Sequence, residues 1–344
     1  MTGEQAAQGI GIIASGYMGR TYAECVSRYV TGARLIAIAG GSRAPELAAD
    51  YAVAADGSVE TLLQRKDVTA VIITSPQSAH AEQTKLAASY GKHVLVEKPM
   101  ATSAVECKQM IDACQAAGVA LSVIKPWRYR GATRGLYEST RRGDIGAVRM
   151  ASLWWLYPRV PFIGKEWFRN PIEGGLFLDA GSHCFDYLRW IAGAEPVRLF
   201  ANVANYNGDG ETPRSSMTSV VFANGVMGHL WLSYEVPGPG WEHTDFRARV
   251  VGASGELDAH GYGALQLGRD DAWQTLYQQA PMDYINRPME WVRLEAFVAM
   301  VQDFIDALRD GREPPVTGHD GLIAVTLVEA GYRSSALGQA VDLT

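Results

Sequence analysis

The chain has 344 residues, 47% of them apolar, and its 31 basic and 37 acidic side chains leave a formal net charge of -6. That length predicts two domains with separate cores, and the absence of any basic block excludes nucleic acid and anionic membrane as natural partners. No apolar run reaches the ~18 residues of a membrane helix, and Met1-Thr2-Gly3-Glu4 lacks the basic start and apolar stretch of a secretory signal, so a soluble cytoplasmic protein is expected.

Short β-branched runs alternate with helical patterns through the first 125 residues. Gln8 to Ser15, Arg34 to Ala39, Thr69 to Thr74, His93 to Val96 and Ala120 to Ile124 read as strands, nearly continuously apolar as strands covered on both faces must be. The clearest helix starts at Ser103, where Ser103 and Glu106 form a capping box and Gly118 supplies the stop. Such alternation predicts an α/β fold built on a doubly wound parallel sheet, with residues 1–125 as a Rossmann domain.

The first turn, Ala14-Ser15-Gly16-Tyr17-Met18-Gly19, follows a strand and opens a helix. It matches the dinucleotide fingerprint except that alanine replaces the first glycine. In that reading Gly16 admits the backbone to the pyrophosphate, Gly19 lets helix and strand pack closely, and the free amides of the helix start hold the phosphates. An acid that grips the ribose of NAD belongs roughly 20 residues on, at the end of the second strand. The stretch Ala39-Gly40-Gly41-Ser42-Arg43 has none, and a hydroxyl beside a guanidinium suits a 2'-phosphate, so NADP is expected over NAD. A solvated arginine in a glycine loop is the alternative.

Ser75, Pro76 and His80 follow the third strand, at the carboxyl end where ligands bind in such sheets; His80 also reads as the polar first turn of the next helix. The run His93-Val94-Leu95-Val96-Glu97-Lys98-Pro99 delivers a lysine to the point where proline stops a strand, which holds its side chain in a fixed direction. A surface ion pair followed by a turn is the competing reading.

From Ala147 the texture changes. Val148 to Leu156, Val197 to Tyr206, Ser215 to Phe222, Gly225 to Tyr234 and Phe246 to Val251 read as longer alternating strands of one large, mostly antiparallel sheet in an α+β domain, residues 126–344. Two helices close the chain; the first has an apolar face through Leu294, Phe297, Val301 and Phe304 and ends at Gly311, the second runs from about His319 to Gly338, and this end is expected to pack back on the first domain. If Gly174 to Asp186 is helical, Asp179 and His183 lie one turn apart on one face, with Asp186 on the next turn. Histidine is the natural base near neutral pH and a carboxylate one turn away orients it or holds a substrate hydroxyl, although a helix-surface pair reads the same. The thiols Cys25, Cys107, Cys114 and Cys184 lack CxxC pairing and no third ligand joins the Asp/His pair, so no metal is expected. Trp127, Trp154, Trp155 and Trp167 fall in or near the cleft segments and offer flat faces for a sugar ring.

Together these pieces resemble the glucose-fructose oxidoreductase and inositol dehydrogenase family, Gfo/Idh/MocA. The resemblance runs through IIASGYMG at 12–19, SPQSAH at 75–80, GKHVLVEKP at 91–99, WRYR at 127–130, EGGLFLDAGSHCFD at 173–186 and PPVTGHDGL at 314–322. It implies a Rossmann domain followed by an α/β domain whose open-faced sheet often forms the subunit interface, here of a homodimer or homotetramer. It implies that Lys98, Asp179 and His183 are the catalytic set over the nicotinamide, that Glu97 belongs to the same motif, that Pro99 takes a cis bond, and that Arg128 and Trp167 lie near cofactor or substrate. The implied reaction is hydride transfer between NADP or NAD and a secondary alcohol or ketone of a sugar or cyclic polyol. A glycoside-cleaving relative working by transient oxidation, and a cofactor-binding regulator without chemistry, are the alternatives.

Overall fold

The structure is a computed structural model and describes residues 7–157, 170, 175–206, 212–237, 245–283 and 286–343. It divides into two compact units, one of Met1–Pro126 with Asp283–Leu322 and one of Trp127–Met282 with Ile323–Thr344.

The first unit runs β1 (Gln8–Ile13), α1 (Tyr17–Arg28), β2 (Ala33–Ala39), α2 (Ala44–Asp50), β3 (Ala54–Asp56), α3 (Val59–Gln64), β4 (Ala70–Ile73), α4 (His80–Ser89), β5 (His93–Val96), α5 (Ala104–Ala117) and β6 (Leu121–Val123). The sheet order is β3-β2-β1-β4-β5-β6 with every pair parallel, so all carboxyl ends lie along one edge. Ile10, Ile12, Val71, Ile72, Val94 and Leu95 are buried, which is why these strands read as unbroken apolar runs. Strand β3 was not foreseen: Ala54-Ala55-Asp56 carries no β-branched or aromatic residue, and its pairing with β2 alone makes it a strand. Ser103 caps α5 by accepting the Glu106 amide at 3.2 Å, and Gly118 ends the helix in the left-handed region. The return arm of the box goes one residue further back than expected, Glu106 accepting from the amide and hydroxyl of Thr102. The helix Trp291–Asp310 belongs to this unit; it buries Leu294, Phe297, Val301 and Phe304 and sets the Phe297 ring edge-on to Tyr22 of α1 at 5.9 Å.

The second unit runs α6 (Gly131–Arg142), β7 (Val148–Leu156), a π-helical turn (Phe177–Gly181), α7 (Ser182–Ala192), β8 (Pro196–Ala204), β9 (Ser215–Phe222), β10 (Met227–Ser233), β11 (Asp245–Gly252), β12 (Glu256–His260), β13 (Ala264–Arg269), β14 (Ala272–Gln278) and β15 (Val341–Asp342). Nine strands form one sheet in the order β14-β13-β12-β11-β7-β10-β9-β8-β15, antiparallel except for β7 with β10. Strands β12 to β15 were not foreseen; β14 is mostly exposed and β12 is short, so neither shows the alternation that marked the others. One face is covered, with Leu153, Val220, Leu230, Leu232 and Val250 in a core shared with Phe185, Leu188 and Ile191 of α7. The other face leaves Met150, Met217, Met227 and Trp231 exposed. All four cysteines are buried and unbridged. Among the described residues no helix is long and apolar enough to cross a membrane.

Candidate active site

The fingerprint turn sits at the carboxyl end of β1. Ala14 adopts φ 82°, the left-handed conformation for which glycine is the usual choice, and its amide bonds to Ala39 O at 2.8 Å; alanine therefore holds the first-glycine position at a strain cost rather than changing the turn. A Cβ on Gly19 would be driven into the carbonyl oxygen of Ala14, so the third position needs glycine. A Cβ on Gly16 would meet nothing within 4 Å, and no side chain caps α1 at its N-cap. That cradle fits a dinucleotide pyrophosphate. Ser15 is buried, Tyr17 is half exposed and its ring lies 4.8 Å from the Arg293 guanidinium, and Met18 is partly buried.

Beside it runs the turn after β2. Gly41, at φ 79°, passes so close to Ser15 that a Cβ there would crowd the Ser15 hydroxyl. Ser42 and Arg43 are exposed, and no hydrogen bond or ion pair among the described residues holds either side chain. An acid does stand beside this turn: Asp56 ends β3 in register with Ala39, its Oδ1 lies 3.6 Å from Arg65 Nη1 and its Oδ2 is buried without a hydrogen-bond partner among the described residues. Only the pairing of the short β3 brings it there.

After β4, the exposed Pro76 follows Ser75, whose hydroxyl bonds to Gln83 at 2.6 Å. His80 is buried rather than open to a ligand: Nδ1 lies 3.0 Å from Pro99 O and Nε2 2.9 Å from Ser75 O. Its ring ties the β4 loop to the β5 loop. The Lys98–Pro99 bond is cis, and Lys98 is half-buried at the carboxyl edge of the sheet. Glu97 is buried; its Oε2 accepts the Lys98 amide at 2.9 Å and its Oε1 accepts the Tyr22 hydroxyl at 3.0 Å. The carboxylate faces the chain and acts on Lys98, where the family motif alone did not say what it touches.

In the second unit the segment before α7 is wound as a π turn, which carries an extra residue per turn and changes the plain helical spacing assumed for Asp179 and His183. Asp179 Oδ2 accepts from the Tyr234 hydroxyl at 2.8 Å. Burial, and then the charge of Asp179, push the Tyr234 phenol well above its ordinary range, so it stays a donor. His183 is buried, with its ring 5.7 Å from that of Trp155. Asp186 does not extend this pair. It forms a bidentate ion pair with Arg128, at 2.6 and 2.9 Å, buried beside the Trp190 ring. A buried guanidinium needs such a partner, and the pair ties Arg128 to α7. Trp127 is core, stacked on Phe246 at 3.8 Å, and Trp154 lies under the Arg247 guanidinium; of the tryptophans singled out, Trp155 stands beside His183 and Trp167 lies outside the described residues.

A 3-2-1-4-5-6 parallel sheet with an open glycine cradle at the first helix, and a lysine leaving the edge of its fifth strand, defines a dinucleotide-binding enzyme class. The sequence profile described as "Oxidoreductase family, NAD-binding Rossmann fold" matches residues 8–125, and that of the "GFO/IDH/MocA C-terminal domain" matches residues 133–258. The chain belongs to the Gfo/Idh/MocA oxidoreductase family. It is 26% identical over 336 residues to an inositol 2-dehydrogenase of Rhizobium meliloti, covering 95% of this chain and 96% of the relative. It is 27% identical over 290 residues to D-xylose 1-dehydrogenase (NADP(+)) 2 of Haloferax volcanii, covering 83% and 84%. A crystal structure of aldose-aldose oxidoreductase from Caulobacter crescentus in complex with glycerol superposes with a TM-score of 0.85 at 24% identity, covering 98% of this chain and all of that one, a likeness of fold.

Proposed function

We propose that this protein transfers a hydride between NADP and a secondary alcohol or ketone on a sugar or cyclic polyol. The observation that carries the reading is Lys98, half-buried at the carboxyl edge of the parallel sheet and held through its own amide by the buried Glu97. When bound, the nicotinamide supplies the hydride acceptor or donor.

The chain's own residues divide the remaining work. In the first unit the α1 amides, with Ala14, Ser15, Gly16, Tyr17, Met18 and Gly19, hold the phosphates, and Ser75 and Pro76 border the cofactor. Ser42 and Arg43 take the 2'-phosphate, for which a free hydroxyl and an uncommitted guanidinium are the right chemistry. Lys98 donates a hydrogen bond to the substrate oxygen and stabilises the alkoxide that develops as the hydroxyl proton is removed, before hydride departs and the carbonyl forms. In the second unit His183 takes the hydroxyl proton, and Asp179, oriented by Tyr234, holds a neighbouring hydroxyl. The relatives' names support sugars and polyols as the substrate class. A second copy of the chain covers the open sheet face, and the working compartment is the cytoplasm.

Initial rates of nicotinamide reduction over a panel of polyols, aldoses and glycosides, with NADP and NAD in parallel, test the reading. One polyol or aldose turns over in the wild type, and Lys98→Met lowers kcat by about 10² to 10⁴ with nicotinamide binding intact. Unchanged turnover in Lys98→Met sinks the assignment. Free sugar released from a glycoside without net change in nicotinamide replaces it with transient-oxidation chemistry.

A further inference from the structure

Helix α1 does more than present its first amides. Nearly two turns beyond Gly16, Tyr22 points at the sheet, fully buried, with its ring against Phe297 and its hydroxyl donating to Glu97 Oε1 at 3.0 Å. The other oxygen of the same carboxylate accepts the Lys98 amide at 2.9 Å. Each carboxylate oxygen thus has a donor, one from the helix that opens at the phosphate cradle and one from the peptide that carries Lys98. Burial, and after it the charge of Glu97, push the Tyr22 phenol well above its ordinary range, so it remains protonated and donating. A carboxylate buried to 7% exposure has little freedom to seek another donor.

We propose that Tyr22 is a positioning residue for Lys98: through Glu97 it locks the Lys98 peptide to α1, so that the lysine is registered against the same helix that receives the cofactor phosphates. The inference rests on the reading of Lys98 as catalytic. It adds a residue outside the fingerprint and 75 residues from Glu97 in sequence, and it accounts for a buried acid in front of the lysine: Glu97 is the strut between helix and strand. Because placement errors on the order of 1 Å cost about 10²-fold in rate, removing the strut acts on kcat and leaves ground-state cofactor binding nearly untouched.

The test uses the full chain as wild type, Tyr22→Phe, Glu97→Met, the double variant and Lys98→Met. Four quantities are measured: kcat and KM on the substrate from the panel, NADPH affinity by fluorescence titration, and hydrogen exchange at the Lys98 amide in the absence of cofactor. Tyr22→Phe keeps the ring and its packing on Phe297. It is expected to lower kcat about 10- to 100-fold, keep NADPH affinity within about twofold, and speed Lys98 amide exchange about tenfold while exchange in β4 stays at the wild-type rate. The double variant is expected to be no worse than Glu97→Met, since the two residues act as one unit. Wild-type kcat and wild-type Lys98 exchange in Tyr22→Phe overturn the proposal, as does a double variant that loses the product of the two single losses. Should Tyr22→Phe fail to fold, Glu97→Met reads the strut from its other end, with lower kcat and faster Lys98 exchange expected and wild-type values overturning it. Full turnover in Lys98→Met removes the catalytic reading instead; that failure is distinct, because Lys98 exchange still rises in Tyr22→Phe.

Discussion

His80 has a backbone carbonyl against each ring nitrogen, Ser75 on one side and Pro99 on the other, and a neutral imidazole donates to only one of them. A second proton would satisfy both. Burial nevertheless dominates and holds the imidazole below its ordinary range, against the opposing pull of the carbonyls. The unfolded chain takes up that proton near the reference pKa of about 6.5, the folded chain only at lower pH. The stability contribution is therefore complete above about pH 6.5 and is lost as pH falls towards the folded value. His80→Gln is expected to flatten the fall in Tm between pH 7 and pH 5 relative to wild type, measured by scanning calorimetry; parallel Tm curves refute the assignment. Lys98, Asp179 and His183 stood out in the sequence because their side chains carry recognisable chemistry. The groups that orient them did not. Tyr22 lies 75 residues from Glu97 and Tyr234 lies 55 from Asp179, so no local spacing links them, and a lone tyrosine says nothing of its partner.

Turns that need special backbone conformations were well marked, because glycine and small residues announce them. The α1 turn, the cap of α5 and the glycine pair after β2 are all where the sequence puts them. The turn after β2 carries its own prediction. An arginine that meets a phosphate there forms charge-assisted hydrogen bonds of roughly 1.5–3 kcal/mol, or about ten- to a hundredfold in affinity. Arg43→Ala is expected to weaken NADPH by that factor and NADH by less than about twofold in parallel fluorescence titrations. Equal weakening of both marks Arg43 as a surface side chain and returns attention to Asp56 on the neighbouring strand. The π turn ahead of α7 was not legible, since Phe177 to Gly181 have ordinary helical composition and the extra residue per turn is a matter of packing.

The nine-stranded sheet has a covered face and an open one. On the open face Met227 pairs across to Met150 and Val221, and Trp231 pairs to Trp154 and Met217, so the exposed apolar side chains adjoin instead of scattering. Contiguous apolar surface of that kind is what the proposed second copy would cover, whereas single exposed apolar residues carry no such reading. Trp231→Lys is expected to lower the mass seen in sedimentation equilibrium from an oligomer to the single chain of 37.4 kDa while preserving the circular dichroism spectrum. An oligomer that persists at low micromolar concentration in this variant places the interface elsewhere.

What the amino-acid sequence determined alone is whatever local rules decide: parallel strands from unbroken apolar runs, the cradle from a strand–glycine–helix turn, the lysine's exit from a proline, and the antiparallel sheet from alternation with period two. What only the tertiary structure decided is which groups face each other. Arg128 turned inward to Asp186, His80 was spent on two carbonyls, Trp127 went into the core, and Glu97 became a strut between helix and strand. The reason is physical: a buried charge or donor must find its partner wherever the fold brings one, and that partner is set by packing across the chain, which no spacing along it encodes.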